Sequence, residues 1–224
     1  MTEYGAIFDN DGTLMRTMDE WIAVMQHMAE ESGGTFSQQD VDFLTTTSVP
    51  EACTFLASHP TSRSDCTAEH LADFAWNHML EYYATRSVLK VGVEAYMRML
   101  HEQGIPVYIV SSSPYACLES GMDHCGLTTY ITGILSAERE GISKREPTLF
   151  LKAAAAMGTL PENTWVFEDA LYSIRVAKSA GFRTVGIDDG GIVGTYEDFI
   201  AEADIAIHDF TDLQLVFPPA KIIH

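Results

Sequence analysis

Basic residues are scarce in this 224-residue chain: 13 Lys and Arg stand against 32 Asp and Glu, a formal net charge of −19 with His neutral. A nucleic-acid or anionic-membrane surface needs a contiguous positive patch, and so few cations do not supply one. The four cysteines, Cys53, Cys66, Cys117 and Cys125, form no C-x-x-C pair and have no short spacing to histidine, so they read as reduced thiols rather than zinc ligands. No apolar run approaches the ~18 residues of a membrane span. Met1–Tyr4 carries neither the basic stretch nor the apolar core of a secretory leader, which leaves a cytoplasmic protein as the expectation. Disorder is excluded from the other side, because 46% of residues are hydrophobic, enough to build a sizeable core.

The apolar residues fall into two textures. Short runs bounded by turn residues, Tyr4–Phe8, Pro106–Val110, Trp165–Phe167, Thr184–Ile187 and Ile205–Ile207, predict buried strands. Helical stretches separate them, and strands alternating with helices predict an α/β core around a parallel sheet. The clearest helix is placed over 93–103, where Val93, Tyr96, Met97 and Leu100 share one face and Gly104 follows as a terminator. Between about residues 15 and 90 no strand-like run occurs. Trp21, Val24, Met25 and Met28 make one apolar stripe there, and Leu71, Phe74, Ala75, His78 and Met79 another. Polar breaks at Glu31–Thr35 and Ser58–Thr67 divide the segment, which predicts about four helices inserted into the core, with 1–14 and 91–224 forming the core and 15–90 the insert.

Phe8-Asp9-Asn10-Asp11-Gly12-Thr13-Leu14 follows the first strand directly. Two carboxylates two apart at a strand's carboxyl end reach the crevice where open α/β sheets bind ligands, and Gly12 permits the tight turn that holds them there. This segment resembles the first motif of the haloacid-dehalogenase superfamily. The remaining motifs of that family have counterparts in order. Ser111, in Ile109–Pro114, matches the hydroxyl residue after the next core strand, with Ser112 beside it, while Ser113 before Pro114 reads as a helix N-cap. Lys144, in Lys144-Arg-Glu-Pro147-Thr-Leu-Phe150, matches the motif lysine, with Arg145 replacing the usual proline. Glu168 and Asp169 after Trp165–Phe167 match the acidic pair.

The resemblance covers nearly the whole chain and implies a Rossmann-like core with an inserted helical cap that closes over its substrate. It further implies a Mg²⁺-dependent phosphatase acting on a small-molecule phosphomonoester. Asp9 would be the nucleophile and Asp11 the acid and base; Asp9, the Asp11 backbone carbonyl, Asp169 and Glu168 would form the metal site, with Glu168 set back or acting through water. Ser111, Ser112 and Lys144 would hold the phosphate. Haloacid dehalogenases lack the second aspartate of the first motif, so Asp11 favours phosphoryl chemistry. The phosphonate-cleaving branch uses a cap lysine, and the first lysine here, Lys90, lies only at the insert's end.

The sugar-phosphate mutase branch is the nearer rival, and a receiver-like phosphoacceptor module without turnover is the alternative from another class. The mutases carry a cap arginine for a second phosphate where this chain has Val49, which favours hydrolysis. Arg16 has two readings, a clamp for a second anionic group or a partner of Asp19 or Glu20. Trp21, Thr46, Thr47 and Trp76 are candidate substrate contacts in the insert. His70 and His78 are eight apart, too far for a helical chelate, and Met15, Met18, Met25 and Met28 read as packing. Residues 15–89 carry three Arg against eleven acids, a balance of −8, which disfavours a strongly anionic leaving group and points to a neutral one such as a sugar or alcohol. Nothing in the sequence sets the oligomeric state.

Overall fold

The computed structural model describes residues 3–190 and 194–221, with the side chains of Thr45 and Thr46 left out. Within these limits the chain divides into two compact units, one of 1–16 with 87–224 and one of 17–86. The first unit is built on a six-stranded sheet of order β3-β2-β1-β4-β5-β6, every neighbouring pair parallel. Its strands are β1 (Gly5–Phe8), β2 (Val107–Ser111), β3 (Gly133–Ser136), β4 (Thr164–Glu168), β5 (Arg183–Ile187) and β6 (Ile205–Ile207). This is the Rossmann-like α/β class that the alternating apolar runs predict, and five of the six strands fall on those runs. The edge strand β3 does not: of its four residues only Ile134 and Leu135 are apolar, and its first three are half-buried.

Strand order reverses beside β1. The chain leaves β1 toward β2 and β3, then returns to lay β4 on the other flank of β1, so the carboxyl ends of β1 and β4 border the crevice where such sheets bind ligands. Phe8 pairs in register with Phe167, their rings stack with centroids 4.2 Å apart, and Tyr96 and Phe210 close around them. This aromatic plug lies one residue before Asp9 on β1 and one before Glu168 on β4. It fixes the ends of the two strands, and Asp9 N–H donates to the Phe167 carbonyl at 3.0 Å. Burying such aromatic side chains stabilises by about 1.5–3 kcal/mol each, which anchors the loops that follow.

Helices flank the sheet. Val93–Glu102 precedes β2 and ends as the sequence predicts, with Gly104 at φ +69° and its N–H on the His101 carbonyl. Thr148–Met157 packs against β1 and β2 through Leu149, Phe150, Ala153 and Ala154, and Leu171–Ser179 follows β4.

The second unit contains α1 (Met18–Ser32), α2 (Gln38–Thr46), α3 (Val49–Ser58) and α4 (Ala68–Thr85). Capping boxes start α2 at Ser37 and α3 at Ser48, satisfying the first-turn N–H groups. Its core joins Val24, Met25, Met28, Ala52, Leu56, Leu71, Ala75, Met79 and Tyr83. The two chain segments that lead to this unit pair with each other inside the first one: Lys90 N–H donates to Leu14 O, Arg16 N–H donates to Val88 O, and Met15 bridges Leu89. That ribbon carries residues 15, 16 and 87–90 with the sheet, so the division falls at 16/17 and 86/87 rather than at 14/15 and 90/91. No helix among the described residues is long and apolar enough to cross a membrane.

Candidate active site

Asp9, Glu168 and Asp169 converge at the carboxyl ends of β1 and β4, each offering a carboxylate oxygen within 4.8 Å of the others, and all three are buried. Lys144 reaches them from the loop before Thr148–Met157. Its Nζ lies 2.8 Å from Asp9 Oδ1 and forms a second ion pair with Glu168 Oε1. Glu168 Oε2 accepts the Ala170 N–H at 3.2 Å, so both Glu168 oxygens are engaged within the protein. Asp169 accepts from Thr13 Oγ1 at 3.3 Å, and its Oδ2 lies against Gly12, where an added Cβ would meet it at 2.2 Å. Gly12 has φ +73°. Only a glycine suits that left-handed turn and leaves room for the carboxylate.

Three buried carboxylates share one ammonium, and the pKa directions of Asp9, Asp169 and Lys144 reflect that crowding. Burial pushes the Asp9 carboxyl up to about 7, with Lys144 opposing and Glu168 and Asp11 adding to the rise. Asp169 is likewise pushed well up, first by burial and then by Asp9 and Glu168. Burial alone would lower the Lys144 ammonium, but Asp9 and Glu168 outweigh it and its pKa is raised. A buried, oxygen-only donor set short of positive charge fits a hard divalent cation such as Mg²⁺ rather than zinc.

The Asp11 carboxylate stands apart from this group. Ser113 Oγ donates to its Oδ2 at 2.6 Å, Ser111 Oγ approaches the same oxygen at 3.5 Å, and Asn10 Nδ2 donates to Oδ1 at 3.2 Å. Ser113 is therefore not the helix cap that its place before Pro114 suggests. Pro114 itself occupies the N-cap position of the helix Tyr115–His124, and the Ser113 hydroxyl turns to Asp11 instead. Ser113 is pinned on both backbone sides: its N–H donates to Ser111 Oγ at 3.2 Å, and its carbonyl accepts Ser136 Oγ at 2.7 Å. No local pattern marks this role, since the partner lies 102 residues away in sequence.

Ser111 is buried at the end of β2 and Ser112 is exposed just beyond it. Arg145 is exposed, with its guanidinium 4.7 Å over the Tyr172 ring. Arg16 is exposed at the end of the paired ribbon. Trp21 and Thr47 belong to the 17–86 unit: Trp21 meets Trp76 edge to face with centroids 6.0 Å apart, and Thr47 Oγ1 donates to Glu51 Oε2 at 2.9 Å. Val49 is buried in that unit's core. Glu20 pairs with His78 at 2.6 Å and Arg86 at 3.2 Å, and His70 pairs with Glu31 at 2.8 Å, so both histidines sit on glutamates.

Sheet order, the acidic cluster at its switch point and the lysine across from it define a hydrolase class with an aspartate-bearing first loop. The chain belongs to the haloacid dehalogenase-like hydrolases, whose family model matches residues 6–187. Among curated relatives it is similar to a validoxylamine A 7'-phosphate phosphatase of Streptomyces hygroscopicus subsp. limoneus, 26% identical over 93% of this chain and 95% of that one. A fructose-1-phosphate phosphatase of Escherichia coli is 33% identical over 37% of this chain and 44% of its own length. Among solved structures, CbbY from Rhodobacter sphaeroides superposes with a TM-score of 0.78 over 95% of this chain and 96% of that one, at 20% identity. A β-phosphoglucomutase from Clostridium difficile gives 0.74 over 96% and 94%, at 21% identity. These two likenesses speak for the fold.

Proposed function

We propose that this chain is a Mg²⁺-dependent phosphoric monoester hydrolase that releases a small, uncharged alcohol or sugar through an aspartyl-phosphate on Asp9. The observation that carries the reading is the buried Lys144 ammonium placed between Asp9 and Glu168, beside Asp169. A carboxylate nucleophile repels a phosphate dianion, and an ammonium 2.8 Å from Asp9 offsets that repulsion and aligns both groups.

Asp9 attacks phosphorus as the P–O bond to the leaving group breaks, and Asp11 gives its proton to the departing oxygen. Water then attacks the phosphorus of the acyl phosphate, Asp11 takes its proton, and the Asp9 carboxylate is freed with inorganic phosphate. Ser113 holds the Asp11 carboxylate in place for both transfers. Ser111, Ser112 and Lys144 bind phosphate oxygens. Asp9, Asp169 and the Asp11 carbonyl would hold the cation, while Glu168, with one oxygen on Lys144 and one on Ala170 N–H, orients the lysine. When bound, the cation neutralises charge on the phosphoryl oxygens and keeps Asp9 ionised.

Substrate choice is assigned to the 17–86 unit and to Arg16. The −8 balance of residues 15–89 disfavours an anionic leaving group. Relatives named for validoxylamine A 7'-phosphate and fructose 1-phosphate support a polyhydroxylated one. The test is phosphate release across a panel of phosphomonoesters with Mg²⁺ or with chelator, with Asp9→Asn as control. Release of phosphate that requires Mg²⁺ supports the reading. Glucose 6-phosphate formed from the 1-phosphate would select a mutase, and a stable phosphoprotein without release would select a phosphoacceptor module.

A further inference from the structure

We propose that Lys90 and Asp189 form a charge-setting pair for the cation centre: Asp189 presents a further carboxylate to it, and Lys90 neutralises that carboxylate. The inference rests on the divalent-cation reading above and adds two positioning residues that the motif pattern does not include.

Lys90 is buried on the connecting ribbon, and its Nζ lies 2.6 Å from Asp189 Oδ1 while donating to the Asp188 carbonyl at 3.2 Å. Asp189 sits two residues beyond β5, on the strand next to β4. Its second oxygen turns toward Gly12. A Cβ added at Gly12 would lie 3.0 Å from Asp189 Oδ2 and 2.2 Å from Asp169 Oδ2. Two carboxylates, from the ends of adjacent strands, thus flank one bare backbone position.

A chain with only 13 cations buries one of them here. Asp9, Glu168, Asp169 and Asp189 face two ammoniums, Lys144 and Lys90, so the centre is short of positive charge. Removing the Lys90 charge deepens the deficit and should tighten cation binding. Removing the Asp189 charge leaves Lys90 uncompensated and should weaken it. A purely structural pair has no such opposition, because breaking it from either side disorders the same loop.

The experiment is calorimetric titration of MgCl₂ into the metal-free full-length protein, with thermal melts of every variant. Asp189→Asn is expected to weaken Mg²⁺ binding roughly ten-fold, the scale of one unit charge acting on a divalent ion across a few ångströms of solvated protein. Lys90→Met is expected to tighten it several-fold, the double variant to return near wild type, and Lys90→Arg to bind as wild type does. Should Lys90→Met not fold, Lys90→Gln carries the same expectation. Shifts of the same sign in Lys90→Met and Asp189→Asn, or no shift in either, overturn the proposal. Asp169→Asn separates the two levels. If wild type binds Mg²⁺ and Asp169→Asn does not, the cation reading stands whatever the pair does; if wild type binds none, both fall.

Discussion

Replacing Ser113 by Ala should slow turnover without removing any residue of the family's motifs. The Ser113 hydroxyl donates to Asp11 Oδ2 at 2.6 Å, the short end of O–H···O⁻ bonds, and its side chain is buried, so water does not readily take its place. Hydrogen bonds to charged groups contribute about 1.5–3 kcal/mol. If that energy holds Asp11 in line only while a proton moves, its loss appears in kcat, and ~1.4 kcal/mol per decade converts the range to roughly 10–150-fold. Substrate binding, which rests on Lys144, Ser111 and the cation, should change little. Steady-state phosphate release gives kcat and KM, and circular dichroism confirms that the variant folds. A folded Ser113→Ala enzyme with kcat within about twofold of wild type would refute the claim that this hydroxyl positions the acid and base. Ser113→Thr, which keeps the hydroxyl, should recover most of the rate, whereas a loss from general loosening would not be recovered so selectively.

Gly12→Ala should impair the cation site: the left-handed φ of +73° costs a non-glycine residue about 1–2 kcal/mol, and the new Cβ would press on Asp169 Oδ2 at 2.2 Å. A Mg²⁺ titration should show affinity lowered by at least about ten-fold, and unchanged affinity would mean that Asp169 is not a ligand. The metal-free protein should lose stability as pH rises from about 4 to about 7, because the folded Asp9 carboxyl is raised to about 7 and folding therefore favours its protonated form. The full effect is on the order of 4 kcal/mol at most, present below the unfolded pKa and lost as pH passes 7. Mg²⁺ should restore melting temperature at pH 8 more than at pH 5; equal shifts at both would contradict the assignment. Arg16→Ala should raise KM selectively for substrates with a second anionic group, and a uniform effect on all substrates would remove the clamp reading.

The sequence is most informative where an element is defined by its own residues. Thr164–Glu168 is buried throughout and Val107–Ser111 is buried except at Tyr108, and such runs have few other solutions than central parallel strands. Gly133–Ser136 is invisible by the same logic. It is half-buried at the sheet edge, and what makes it a strand is the neighbouring β2, whose Tyr108 ring packs where a side chain at Gly133 would stand. The motif residues Asp9, Ser111, Lys144, Glu168 and Asp169 are legible because spacing ties each to the end or start of an element. Ser113 and Asp189 are not. Ser-Pro is a sound local signal for a helix start, and Asp188-Asp189 before Gly190 is an ordinary turn, until the fold brings Asp11 to the one and Gly12 with Lys90 to the other. Long-range contacts between polar groups leave no periodicity in the chain.

Asp9 should become phosphorylated during turnover. Acid quenching in the steady state with a hexose or hexitol phosphate and Mg²⁺, followed by peptide mass spectrometry, reads this directly. Borohydride reduction of the quenched enzyme converts an acyl phosphate to homoserine and marks its position. Turnover should leave one phosphoryl group on the peptide containing Asp9 and homoserine at residue 9 after reduction, and neither in Asp9→Asn. Full-rate phosphate release with no label at Asp9, or release that persists in Asp9→Asn, would contradict it.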